Sequence, residues 1–107
     1  MSVITNNNIK CTISLATLEN VFDPEIGLNV VALGLIYQID FDETNSIIYI
    51  TMTLTTRFCP MGESITLAIK QILENTFPGM TAQVEVTFNP PWSYELVSEE
   101  GKLFLNL

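Results

Sequence analysis

The stretch that decides the fold runs from residue 35 to residue 55, LIYQIDFDETNSIIYITMTLT. Its first eight residues alternate, with Leu35, Tyr37, Ile39 and Phe41 set against Gln38, Asp40 and Asp42, the period-two signature of a half-buried strand. Residues 43–46 are polar and read as a turn. Beyond them Ile48, Ile50, Met52 and Leu54 alternate with Tyr49, Thr51, Thr53 and Thr55, so the stretch is a hairpin whose threonine face is expected to meet solvent. A sheet that is apolar on one side needs cover on that side only, and the flanking sequence supplies it.

Downstream, residues 63–77 carry an apolar stripe of Ile65, Ala68, Ile69, Ile72, Leu73 and Phe77 at helical spacing, ended by Pro78-Gly79. A third strand follows, in which Ala82, Val84, Val86 and Phe88 alternate with Gln83, Glu85 and Thr87 until Pro90-Pro91 halts it. Residues 93–105 hold one or two short helical turns. Upstream, Leu15, Leu18, Val21 and Phe22 predict a helix over residues 14–22, with Thr12 or Ser14 as its N-cap and Pro24 as its stop. Residues 1–10, with Asn6-Asn7-Asn8 and no periodicity, read as a mobile arm. The order helix, strand, strand, helix, strand predicts an α+β two-layer sandwich with a short C-terminal helical segment, all within one domain of residues 1–107.

Composition removes whole classes of chemistry. The chain has no histidine, the usual general base at neutral pH, so Ser-His and Cys-His hydrolysis are excluded. Cys11 and Cys59 are the only cysteines, too few for a structural zinc site in one chain and unlike a secreted disulfide scaffold. There is no signal-peptide pattern and no apolar run near the ~18 residues of a membrane span, so a cytoplasmic protein without a membrane partner is expected. Twelve acidic residues against four basic ones give a net charge of -8, and Lys10, Arg57, Lys70 and Lys102 are scattered, which argues against nucleic acid as a partner. Gly27, Gly34 and Gly62 match neither phosphate-loop nor dinucleotide spacing, so no nucleotide cofactor is expected.

Three places remain where chemistry or recognition can reside. Cys59 ends a strand extension and stands just before a helix, with Pro60 suited to the first helical position and Arg57 adding positive field. That setting lowers a thiol pKa and favours the thiolate that binds metals or attacks, against the alternative of a cysteine that merely packs. Asp23 and Glu25 flank Pro24 in a loop over residues 23–34, either as a functional carboxylate pair or as helix termination and solvation. Trp92, behind Pro90-Pro91, is read as a core plug or as an anchor for a partner. The apolar tail Leu103-Phe104-Leu105 and the polar face of the sheet are further surfaces open to a partner.

Four segments taken together, Asp23-Pro24-Glu25, Val31-Ala32-Leu33-Gly34-Leu35-Ile36-Tyr37, Thr53-Leu54-Thr55-Thr56-Arg57-Phe58-Cys59-Pro60 and Asn89-Pro90-Pro91-Trp92-Ser93, resemble the SufT-like and PaaD-like family of metal-sulfur cluster biosynthetic proteins. The resemblance implies a non-enzymatic factor in iron-sulfur maturation, with the family's reactive cysteine falling on Cys59 and its acidic loop pair on Asp23 and Glu25. The implied cofactor is a transient iron-sulfur cluster. The implied partners are iron-sulfur assembly proteins and client apo-proteins, with a homodimer as one way to complete the ligand set, since a cluster takes about four ligands. An adapter that docks assembly machinery to clients through Trp92 without binding metal is the alternative. The chain departs from the family in carrying bulky Arg57-Phe58 where a small pair usually precedes the cysteine, which is expected to restrict access to the thiol.

Overall fold

The computed structural model describes residues 3–57 and 60–105. In chain order the elements are β1 (Ile4–Thr5), α1 (Asn8–Leu18), β2 (Ile36–Asp42), β3 (Ile47–Met52), α2 (Gly62–Thr76), β4 (Thr81–Val86), a 3-10 turn (Tyr94–Leu96) and α3 (Glu99–Phe104). The four strands form one sheet in the order β1-β2-β3-β4, with β2 and β3 antiparallel and both outer pairs parallel. Each parallel pair is joined through a helix, because a parallel neighbour can be reached only by a crossover.

The hairpin forms as its alternation dictates. Ile39 lies opposite Ile50, and Phe41 opposite Ile48, on the face that meets the helices, while Asp40 lies opposite Tyr49 on the other. The turn is closed by Asp42, whose two carboxylate oxygens accept from the backbone and side-chain amides of Asn45 at 3.0 and 2.8 Å. Those bonds, the side-chain one foremost, hold the Asp42 carboxyl below its usual range. The register shifts between Ile36 and Gln38, so that Leu35, Ile36 and Tyr37 are all buried instead of alternating. The threonine face is also not uniformly solvated as expected: Thr53 is wholly buried beside the Tyr37 hydroxyl.

α2 buries Ile65, Ile69 and Leu73 against the sheet, and each fully buried aliphatic side chain contributes about 1.5–3 kcal/mol. Phe77 at its end packs edge-on against Phe41, with ring centroids 5.4 Å apart. Both helices cover the same core of Leu18, Ile39, Ile48, Ile50, Met52 and Ala82, which gives the two-layer α+β arrangement.

The N-terminal stretch differs from its sequence reading. Instead of a mobile arm over residues 1–10, residues 4 and 5 pair with Gln38 and Ile39, and the Asn6 side chain continues the ladder by bonding both the amide and the carbonyl of Phe41, at 2.9 and 3.0 Å. Asn7 then caps α1, accepting from the Lys10 amide at 3.0 Å. The helix therefore starts six residues earlier than residue 14 and stops at Leu18. Thr12 and Ser14, expected as caps, lie inside it and turn their hydroxyls back onto the carbonyls of Asn8 and Lys10. No helix among the described residues is long and apolar enough to cross a membrane.

Candidate functional site

At the end of the sheet where β2 begins and β3 ends, three loop segments are bonded to one another. The first is the loop after α1. It turns back on itself through a bridge between Phe22 and Asn29, reinforced by Val30 N–H to the Val21 carbonyl at 2.9 Å and Asp23 N–H to the Leu28 carbonyl at 2.9 Å. Asp23 is 1% exposed, and its carboxylate accepts from the Glu25 amide at 2.9 Å, an Asx turn enforced by Pro24. Glu25 is exposed. The two carboxylates proposed as a pair thus do different work: Asp23 holds the backbone of the loop from within, and Glu25 faces solvent.

The second segment continues β3 beyond Met52. Thr53 N–H donates to the Leu35 carbonyl at 2.9 Å, tying this extension to the end of the first loop. Further along, the Arg57 guanidinium lies over the Phe88 ring at 4.7 Å, a cation–π contact that joins the extension to the segment after β4.

That third segment runs from Thr87 through a cis Asn89–Pro90 bond into α3. The Tyr37 hydroxyl donates to the Pro90 carbonyl at 2.9 Å, the Trp92 indole N–H to the Leu33 carbonyl at 2.6 Å, and Ser98 N–H to the Ala32 carbonyl at 2.8 Å. Burial pushes the Tyr37 phenol pKa up. The approach is so close that a Cβ on Gly34, which has φ +75, would sit 2.2 Å from the Leu96 carbonyl oxygen. Trp92 is therefore partly buried and spends its only donor inside the molecule.

Cys59, the central candidate, lies outside the described residues, as does Phe58. α2 opens at Gly62, one residue before the expected start at 63, with Met61 as an N-cap that makes no side-chain bond. Pro60 consequently precedes the cap and does not occupy the first helical position. Cys11 is 5% exposed in the core, and desolvation by burial pushes its thiol pKa up, which disfavours the thiolate that attacks or ligates. Among the described residues, no three His, Cys, Asp or Glu side chains group so as to hold a metal ion.

The joint brings together segments that the sequence suggested separately, and it adds residues that the sequence reading passed over. Tyr37 looked like one more core position of an alternating strand, Phe88 like the end of another, and Gly34 like a loop glycine. The missed signal was that Gly34 and Tyr37 lie within the same segment as the strand start, where a bulge and a positive φ break the alternation.

A family model described as iron-sulfur cluster assembly protein matches residues 15–88. This chain belongs to that family. The family match takes in Asp23, Glu25, Gly34, Tyr37 and Cys59 and stops at Phe88, short of Trp92. This chain is 37% identical over 93 residues to the Fe-S protein maturation auxiliary factor YitW of Bacillus subtilis, covering 87% of this chain and 90% of that one. It is 33% identical to the Fe-S protein maturation auxiliary factor SufT of Staphylococcus aureus over 81% of its own length and 98% of the relative's. Its fold matches the crystal structure of a domain of unknown function from Bacillus anthracis with a TM-score of 0.83 and 40% identity, over 90% of this chain and 91% of the other. The family expected from the four sequence segments is the one found.

Proposed function

We propose that this chain serves iron-sulfur protein maturation as a non-catalytic delivery factor, holding a cluster transiently as cargo on Cys59 and passing it to a client apo-protein. The observation that carries this reading is the convergence of the motif segments. The extension that leads to Cys59 is tied to the loop of Asp23 through Thr53 and Leu35, and to the Pro90–Trp92 segment through Arg57 and Phe88. A rigid frame on both sides is what a transfer site requires, because a ligand held loosely loses the geometry of exchange. The relatives named Fe-S protein maturation auxiliary factors support the same reading.

Ligand number sets how the cargo is held. A cluster takes about four ligands, mostly thiolates, and this chain has two cysteines, one of them the buried Cys11. The remaining ligands come from outside the chain: from a second copy, from the donor, or from the client. Asp23 shapes the adjoining loop from inside, and solvent-facing Glu25 is the carboxylate free to meet iron or a partner.

Anaerobic iron-sulfur reconstitution of the wild type and of Cys59→Ser tests this, read by visible absorbance, iron per chain and mass in solution. The expected result is colour and iron on the wild type and neither on the variant, with a doubled mass if two copies share the cluster. Equal iron on both proteins removes Cys59 as a ligand, and no iron on either leaves the docking adapter as the better account.

A further inference from the structure

β4 is the outer strand of the sheet, and its free edge is closed at one end and open at the other. In a strand, successive residues direct their backbone groups to opposite sides. Thr81 N–H donates to the Ser46 carbonyl and Thr87 N–H to the Met52 carbonyl, so residues 81, 83, 85 and 87 turn toward β3. Ala82, Val84 and Val86 turn outward. At Ala82 both outward groups are satisfied by side chains of α2: its N–H donates to the Glu74 carboxylate at 3.0 Å, and its carbonyl accepts from the Lys70 ammonium at 2.8 Å. The same ammonium pairs with Glu74 at 2.7 Å. At Val84 and Val86 the outward N–H and C=O groups meet no partner among the described residues.

Beside this open stretch runs a groove of about 550 Å³, lined by Glu63, Ser64, Thr66, Leu67 and Lys70 of α2 and by Val84 of β4. Leu67 is 54% exposed there, an apolar side chain at a place where the backbone offers unused hydrogen bonds. We infer that the β4 edge at Val84–Val86 is a docking site for an extended segment of another protein bearing lysine or arginine, which adds to the sheet as a fifth strand over Leu67.

The geometry selects an extended backbone, since only a strand can answer donors and acceptors two residues apart along an edge. The charges select a basic one. Lys70 is already neutralised by Glu74, whereas Glu63 in the groove and exposed Glu85 on the strand have no ion-pair partner among the described residues, on a chain of net charge -8. A second copy is a poor occupant. The Lys70–Glu74 closure at Ala82 confines self-pairing to Val84–Val86, where an antiparallel match would set Glu85 directly against its own copy, and like charges so placed are destabilising. The proposal makes no use of Cys59.

The test is amide hydrogen exchange of the ¹⁵N-labelled full chain, followed by NMR, with an acetylated hexapeptide alternating lysine and valine, and with its glutamate-valine counterpart as comparison. With the basic peptide at ten times its dissociation constant, the Val84 and Val86 amides should exchange about tenfold more slowly, since exchange then runs through the roughly one-eleventh of the protein left unbound. The Gln83 and Glu85 amides, already directed at β3, should hardly change, and the acidic peptide should protect nothing. In Glu63→Lys/Glu85→Lys the preference should pass to the acidic peptide. The proposal is overturned if the basic peptide leaves Val84 and Val86 unprotected, if both peptides protect them equally in the wild type, or if their protection grows with protein concentration alone as a dimer forms.

Discussion

Replacing Gly34 by alanine tests the joint between the loop after α1 and the C-terminal segment. Two costs add. A non-glycine residue in the left-handed region, here φ +75, loses about 1–2 kcal/mol. The new methyl would also lie 2.2 Å from the Leu96 carbonyl oxygen and 2.8 Å from the Leu96 Cβ, so the segment must retreat. That retreat stretches the bonds from Trp92 to Leu33 and from Ser98 to Ala32, each worth about 1 kcal/mol. The sum is about 3.5 kcal/mol. Gly79→Ala is the matched control, because Gly79 has φ +89 but a Cβ there meets nothing within 4 Å, so only the backbone cost of about 1.5 kcal/mol applies. An unfolding entropy of about 2.1 cal/mol/K per residue gives about 0.2 kcal/mol/K for 107 residues, so Tm should fall by about 15 °C for Gly34→Ala and about 7 °C for Gly79→Ala. Calorimetry measures both. Trp92 is the sole tryptophan, so its emission should shift to the red in the native state of Gly34→Ala alone. Equal Tm losses in the two variants, with unchanged emission, would refute the claim that the joint is held by close approach at Gly34.

Asn7→Ala should lower stability by about 1 kcal/mol in urea unfolding, the usual cost of an N-cap, while Asn7→Ser should restore most of it. Tyr37→Phe deprives the Pro90 carbonyl of its donor and should cost about 1 kcal/mol at neutral pH. Because burial raises the Tyr37 pKa above its ordinary 10.0, the folded state holds that proton more tightly than the unfolded chain does. The stability it contributes is therefore complete below pH 10 and declines above it, and that part of the alkaline decline should be missing in Tyr37→Phe. Glu74 has the opposite sign: hydrogen bonds from Lys70, first, and from Ala82 hold its pKa below the ordinary 4.5. Its contribution is present above pH 4.5 and fades as the pH falls through the lowered value, so wild type and Glu74→Gln should differ in urea midpoint at neutral pH and converge in acid.

Much of the fold was legible because apolar periodicity is a one-dimensional record of which side meets the core. The strands Ile36–Asp42, Ile47–Met52 and Thr81–Val86 and the helix Gly62–Thr76 all carry it, and each was read to within a few residues. The N-terminal elements were not legible. β1 is two residues long, too short for a period, and Asn6 after it acts through bonds to Phe41, 35 positions away in sequence. The ends of α1 were misjudged for a related reason: threonine, serine and asparagine all qualify as caps, and only the pairing of β1 decides which of them stands at the entry.

The sequence by itself determined the hairpin, the two-layer α+β class, the exclusion of histidine chemistry and the family through its four segments. It also marked Asp23, Glu25, Cys59 and Trp92 as residues of interest, but it could not say what each side chain meets. That Asp23 is buried and braces its loop while Glu25 is solvated, that Trp92 is spent on Leu33, and that β4 is closed at Ala82 yet open at Val84 were decided by tertiary structure. The physical reason is distance along the chain. The bonds that make the joint connect residues 53 and 59 positions apart, as Tyr37 does with Pro90 and Trp92 with Leu33, and no local pattern encodes a hydrogen bond whose two ends are brought together only by the packing of everything between them.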